Sequence, residues 1–280
     1  MKENSGLLRD TIKDVIVSII IVAAIFLSLY AYTQNWPPIV IIESGSMQHG
    51  ELSSIGIIDT GDIVLVKKVY SEDSVVSYVE GRLSDYKRYG DYGDVIIYNY
   101  NGKSIIHRAI VYLIWDGSRW GIRGFEDREY PSWLHVNADR IVIDDVGYAQ
   151  KDVIINLKAL NPNVVGYEGF ITMGDHNLAV YDSKEYAPYD QNSEDFIPIC
   201  PKLVNYNMIK GVAKGELPWF GALKLYFTGT NTGEIPINTK RDLILSLLII
   251  FALAFLGDYA VTRRKLILQK IKSFLKRSEK

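Results

Sequence analysis

The chain has 280 residues, 48% of them apolar and 23% charged, with a formal net charge of −2. That suffices for one or two domains with a buried core and excludes a disordered or strongly basic, nucleic-acid-binding composition. Cys200 is the single cysteine, so an intramolecular disulfide is excluded, and its Ile-Pro-Ile-Cys-Pro setting reads as a small core residue.

Residues 1–14 form a short polar N-terminus in which Lys2, Arg9 and Lys13 balance Glu3, Asp10 and Asp14. Residues 15–33 follow as an uncharged run of Ile, Val, Ala and Leu, near the roughly 20 residues a helix needs to cross a bilayer. Trp36 and then Pro37-Pro38 fit an interfacial aromatic and a helix stop. The run is longer than a signal-peptide core and lacks an A-x-A-like site, so an uncleaved anchor is favoured over a cleaved signal peptide.

Residues 34–242 read as β-rich. Short β-branched runs at 39–42, 63–66, 95–98, 104–113 and 170–173 are bounded by Gly, Asp or Asn. Helical periods are scarce between them. The expected fold class is therefore mostly β: an antiparallel sheet or partly closed barrel between an N-terminal and a C-terminal transmembrane helix. Two polar, aromatic-rich stretches near 70–92 and 115–166 look like insertions, either substrate-facing loops or a small subdomain.

Residues 243–261 are a second candidate span, uncharged from Leu243 to Leu256 with Asp258 at the interface. Residues 262–280 are basic, with Leu266, Ile267, Ile271, Phe274 and Leu275 on one helical face. That tail either lies on an anionic leaflet or serves only as a solvated topology signal. The charge distribution places both termini in the cytoplasm and the acidic 34–242 region outside, making a two-pass cell-membrane protein. Lys240 and Arg241 on the outer flank are a mild exception.

Chemistry is suggested first by Ser44-Gly45-Ser46-Met47, just beyond the first span. A serine hydroxyl needs a neighbouring base to become a nucleophile. Ser46 is the candidate nucleophile, Gly45 is expected to permit an unusual backbone conformation, and the Ser46 amide with the Ser44 hydroxyl could hold an oxyanion. Taken alone, the pattern is an ordinary turn. Among four histidines, His107 sits in Ser104-Ile105-Ile106-His107-Arg108-Ala109, where alternation puts it on an apolar strand face with Ile105 and Ala109. Burial keeps an imidazole neutral, as a general base requires. His49 is close to Ser46 in sequence, but three residues along a turn rarely gives in-line geometry. Asp175, in Gly174-Asp175-His176-Asn177, with Asp182 and Asp190, offers carboxylates to orient the base. A metal site built from His49, Asp175, His176 and Asp182 lacks any standard ligand spacing, so neither metal nor cofactor is expected.

Taken in order, these segments resemble the signal peptidase I family, in its archaeal and eukaryotic-type branch. The residues carrying the resemblance are an N-terminal anchor, Ser44-Gly45-Ser46-Met47, Gly61-Asp62-Ile63-Val64-Leu65-Val66, Gly93-Asp94-Val95-Ile96-Ile97-Tyr98, Ile106-His107-Arg108-Ala109 and Gly174-Asp175-His176-Asn177. Ile209-Lys210-Gly211-Val212-Ala213 and Leu217-Pro218-Trp219-Phe220-Gly221 follow. The resemblance implies a membrane-bound serine endopeptidase that cleaves signal peptides from exported preproteins outside the membrane. It makes Ser46 the nucleophile and His107, in place of the bacterial lysine, the base. Ser44 and the Ser46 amide resemble the oxyanion hole, with Asp175 and Asp182 as the carboxylates. The usual Gly-Asp-Asn-Asn reads Gly-Asp-His-Asn here, and the loop after Asp182 is long enough for Asp190 to replace it.

Ile39, Val40, Ile42, Ile105 and Ala109 are candidate linings for small substrate side chains, with a core role as the plainer alternative. Expected partners are preprotein signal peptides, the lipid bilayer and the protein translocation machinery, with no nucleic acid. The alternative functions are a related membrane protease acting on other substrates and a non-catalytic membrane-anchored scaffold of a secretion complex.

Overall fold

The computed structural model describes residues 2–126, 128–180, 190–191, 198–200 and 202–278. Two long helices stand at the ends, α1 over Lys2–Thr33 and α6 over Thr239–Ser278. Each contains a stretch long and apolar enough to cross a membrane, Thr11–Thr33 and Thr239–Leu268, and neither is buried against the rest of the protein. The basic tail is not a separate helix: α6 runs unbroken through Ser278. The reason is local, since residues 262–278 contain no Gly or Pro and are mostly good helix formers.

Between these helices strand predominates. In chain order come β1 (Ile39–Ile41), β2 (Ile63–Lys67), α2 (Tyr78–Ser84), β3 (Lys87–Arg88), β4 (Asp91–Tyr92), β5 (Val95–Tyr100) and β6 (Lys103–Trp115). Next are β7 (Trp120–Ile122), β8 (Leu134–Val136), β9 (Arg140–Val146), β10 (Lys151–Asn156), α3 (Pro162–Val165), β11 (Glu168–Met173) and α4 (Asp175–Val180). The short pair β12 (Asp190–Gln191) and β13 (Pro198–Cys200) precedes β14 (Ile209–Leu217) and α5 (Ala222–Thr228). Over the whole chain helix reaches 37% and strand 28%, so the expectation of a mostly β protein is met only in part. The two terminal helices account for the difference.

The main sheet has the order β1-β2-β14-β5-β6-β11, with β7 also paired to β6, and every pairing is antiparallel. It does not close into a barrel. Its strands form where β-branched residues alternate faces, as in β2, where Val64 and Val66 are buried and their neighbours are half-exposed. The register that matters most is the β5–β6 hairpin, which sets Ile97 opposite Ile106, Ile96 opposite His107 and Val95 opposite Arg108.

Both insertions pack inward. Residues 115–166 contain the three-stranded sheet β10-β9-β8, whose Leu134, Ile141, Ile143, Val153 and Ile155 join one core cluster with Ile110 and Leu113 of β6. In the 70–92 stretch, α2 starts with a capping box in which Ser77 and Glu80 each bond the other's backbone N–H. Its Tyr78 and Val79 are buried in the same cluster.

Candidate active site

The turn carrying Ser46 is anchored from below. Ile42 and Met47 are buried together with Ile58, Val64, Val66, Val95, Ile97 and Ala213. Burying side chains of this size stabilises by roughly 1.5–3 kcal/mol each, which fixes both ends of the four residues between them. Reciprocal backbone bonds add to this: Ile42 N–H donates to the Asp62 carbonyl and Gly61 N–H to the Ile42 carbonyl, both at 2.9 Å. Gly61 has φ +98° and lies so close to Ala222 that a Cβ would approach within 2.9 Å. Met47 is thus the anchor and Ser46, beside it, is left half-exposed at the surface. Gly45 does not adopt a left-handed conformation. Its lack of a side chain instead makes room for Gln48, whose amide carbon lies 3.2 Å from where a Cβ would be.

His107 reaches the same place from β6. It is 1% exposed, and burial pushes its imidazole from 6.5 down to about 3, against a raising effect from the Asp175 charge. The ring is therefore neutral at physiological pH. The Ser46 carbonyl and the His107 ring both close on Gly174. A Cβ on Gly174 would fall 2.4 Å from the Ser46 carbonyl oxygen and 3.0 Å from His107 Nε2. The next turn completes the clamp, because His176 N–H donates to the Ser46 carbonyl at 2.9 Å.

Asp175 is buried, and its carboxylate is held by two groups that the sequence did not single out for it. Arg108 Nε and Nη2 donate to its two oxygens at 2.8 and 2.6 Å, and His49 Nε2 lies 3.0 Å from Oδ2. Burial would raise the Asp175 carboxyl, but the Arg108 charge and the bonds from Arg108 and His49 hold it below the usual range. The expectation that an aspartate braces His107 is thus modified for Asp175: its oxygens are bonded to Arg108 and His49, and it acts on His107 through its charge. Arg108 also donates to the carbonyls of Arg88, Tyr89 and Tyr92 at 3.0, 3.2 and 3.1 Å. The first insertion therefore forms a cage for this guanidinium. His49 stacks on Tyr148 with ring centroids 4.3 Å apart.

Asp182 lies outside the described residues. Asp190 is in β12, with its backbone paired to Cys200.

A groove of about 1330 Å³ runs past both Ser46 and His107. Ile39, Val40 and Ile42 line it on one side and Ile105 and Ile106 on another, with exposed Ser44 at its rim. Neither insertion contributes to it. Ala109 is not a lining residue. It is fully buried among Ile96, Tyr98 and Phe170, because at that point both neighbouring strands, β5 and β11, cover β6. Among the described residues, β1 pairs only with β2, so its other edge is open along the groove.

A second buried polar group lies behind the turn. Burial raises Asp62 and Glu216 to about 7, and raises Asp59 as well. Asp62 accepts from the Asp59 and Trp219 amides at 2.8 and 2.9 Å, and Glu216 accepts from Gly56 N–H. Among the described residues no three His, Cys, Asp or Glu side chains converge as a metal site. No family model, curated protein or solved structure matches this chain.

Proposed function

We propose that this chain is a membrane-anchored serine endopeptidase that cleaves N-terminal signal peptides from exported preproteins, as its resemblance to the signal peptidase I family implies. The observation that carries the reading is that the Ser46 backbone and the His107 ring both close on Gly174 and both residues line one groove. In this reading a neutral His107 accepts the Ser46 proton as Oγ attacks the scissile carbonyl. The resulting imidazolium is favoured by the nearby Asp175 charge. The Ser46 amide and Ser44 hydroxyl receive the oxyanion. The protonated His107 then returns its proton to the leaving amine, and water hydrolyses the acyl-enzyme.

The open edge of β1 suits an extended peptide, which would add to it as a strand. Its side chains would meet Ile39, Val40, Ile42 and Ile105, which favours small apolar residues near the cut. The two apolar terminal helices support a two-pass arrangement, and the basic end of α6 supports cytoplasmic termini with the sheet domain outside. Anchoring there raises the effective concentration of cleavage sites emerging from the bilayer, where the translocation machinery delivers them.

The test is cleavage of a preprotein bearing an A-x-A site by the full-length protein in liposomes. Ser46→Ala and His107→Ala should each lower the rate at least ~10³-fold. Wild-type cleavage in both variants would end the proteolytic reading. Ser46-dependent cleavage of other membrane substrates, with A-x-A preproteins left intact by the wild type, would favour the related-protease alternative.

A further inference from the structure

The segment joining α5 to α6 lies along the groove opposite β1. It contributes Asn231, Gly233, Glu234, Ile235, Pro236 and Ile237 to the lining. Polar groups of α5 and of this segment fasten the stretch around the nucleophile at successive points. Lys224 Nζ meets Glu43 Oε1 at 2.5 Å, and Asn231 Nδ2 donates to the Glu43 carbonyl at 2.7 Å. Glu234 Oε2 accepts the Gly45 amide N–H at 2.7 Å. Ile237 N–H donates to the Glu51 carbonyl at 3.1 Å. Asn238 takes the Ser53 N–H at 2.7 Å and donates back to the Ser53 carbonyl at 3.0 Å. Asn238 also donates to Asp242, in the first turn of α6, at 2.7 Å.

The Glu234 bond stands apart from the others. A carboxylate accepting an amide N–H makes a charge-assisted bond, stronger than a neutral one. It falls on the residue immediately before Ser46. On the other side of Ser46, His176 N–H holds the Ser46 carbonyl at 2.9 Å. The two peptide groups flanking the Ser46 amide plane are therefore fixed from opposite walls of the groove. One fixing group comes from the His107-bearing sheet side, through the turn after β11, and the other from the approach to α6.

We infer that Glu234 is a positioning residue for the nucleophile: it fixes the Ser44–Gly45 peptide, next to the Ser46 amide plane, from the α6 side, so the C-terminal membrane helix helps to set the Ser46 geometry. The inference rests on the proteolytic reading. It adds a residue and an element that the motif residues do not include. Glu234 is exposed, and its bond goes to Gly45 rather than to Ser46 or His107, so its loss should leave the fold intact.

Three forms of the full-length protein in liposomes decide it: wild type, Glu234→Ala and Glu234→Gln. Two readouts are compared, the kcat and KM for an A-x-A preprotein and amide hydrogen exchange in the 43–48 stretch. Glu234→Ala should lower kcat about three- to tenfold with KM within about twofold, and should speed exchange in that stretch. Glu234→Gln, whose side-chain oxygen still accepts from Gly45 N–H, should recover most of both. Wild-type kcat in Glu234→Ala overturns the inference, as does faster exchange with no change in kcat. If the wild type shows no Ser46-dependent cleavage, the proteolytic reading fails instead, and the exchange readout alone decides whether Glu234 fixes the turn.

Discussion

Replacing Asp175 by Asn tests the arrangement behind His107. The change keeps size but turns one acceptor oxygen into an NH2 donor and removes the charge facing a guanidinium that is 1% exposed. Breaking a buried pair by removing one partner costs about 3–5 kcal/mol, because the other charge is left uncompensated. Five backbone carbonyls, those of Arg88, Tyr89, Asp91, Tyr92 and Gly93, also hold Arg108, and His49 is next to the site, so the lower end, about 3 kcal/mol, is expected. For a domain of this size each kcal/mol shifts Tm by roughly 2–4 °C, giving a drop of about 6–12 °C. Thermal melting of the detergent-solubilised protein, followed by near-UV circular dichroism, measures it. The variant should also cleave more slowly at temperatures where it remains folded, since the charge favouring His107 protonation is gone. A Tm within about 2 °C of wild type, or an unchanged cleavage rate, would refute the reasoning.

Gly174→Ala should lower activity roughly 100-fold or more, because its Cβ must displace the Ser46 carbonyl 2.4 Å away and press on His107; preprotein cleavage measures it. Glu216→Gln should act through pH. A carboxyl held near 7 by burial keeps its proton in the folded state above the unfolded value, so its contribution is full in acid and is lost as pH rises toward and through 7. The amide is therefore expected to raise stability by roughly 1–3 kcal/mol at pH 8 and to leave it unchanged at pH 4, as read by melting at both values. His107 acts in the opposite sense: held down to about 3, it weakens the fold as pH falls below 6.5. His107→Gln should accordingly flatten the loss of stability between pH 6 and pH 4.

The strands were legible because their β-branched runs are short and bounded by Gly-Asp pairs. The structure gives those pairs a backbone meaning. Gly61 and Gly93 have φ of +98° and +77° and crowd Ala222 and the Ser77–Tyr78 backbone, while Asp62 and Asp94 bond the segments they face. The two apolar helices were legible from length and composition alone. Alternation along β6 correctly separated His107 and Ile105 from Ile106 and Arg108. What it left unread was the cost of Arg108 on a buried face: a charge there requires a counter-charge, which Asp175 supplies. The bonds of His49 and Glu234 were not legible. They depend on long-range closure between segments more than a hundred residues apart, which no local pattern encodes. Ala109 was misplaced because alternation gives a face but not what covers it.

The most direct measurement uses a short peptide aldehyde ending in an A-x-A sequence, labelled with ¹³C at the aldehyde carbon and bound to the full-length protein. Attack by the Ser46 hydroxyl would convert that carbon to a tetrahedral hemiacetal, read from its chemical shift. The proteolytic account predicts a hemiacetal signal in the wild type that is absent in Ser46→Ala and much weakened in His107→Ala. A signal that persists in Ser46→Ala, or a wild type that leaves the aldehyde unreacted, would contradict it.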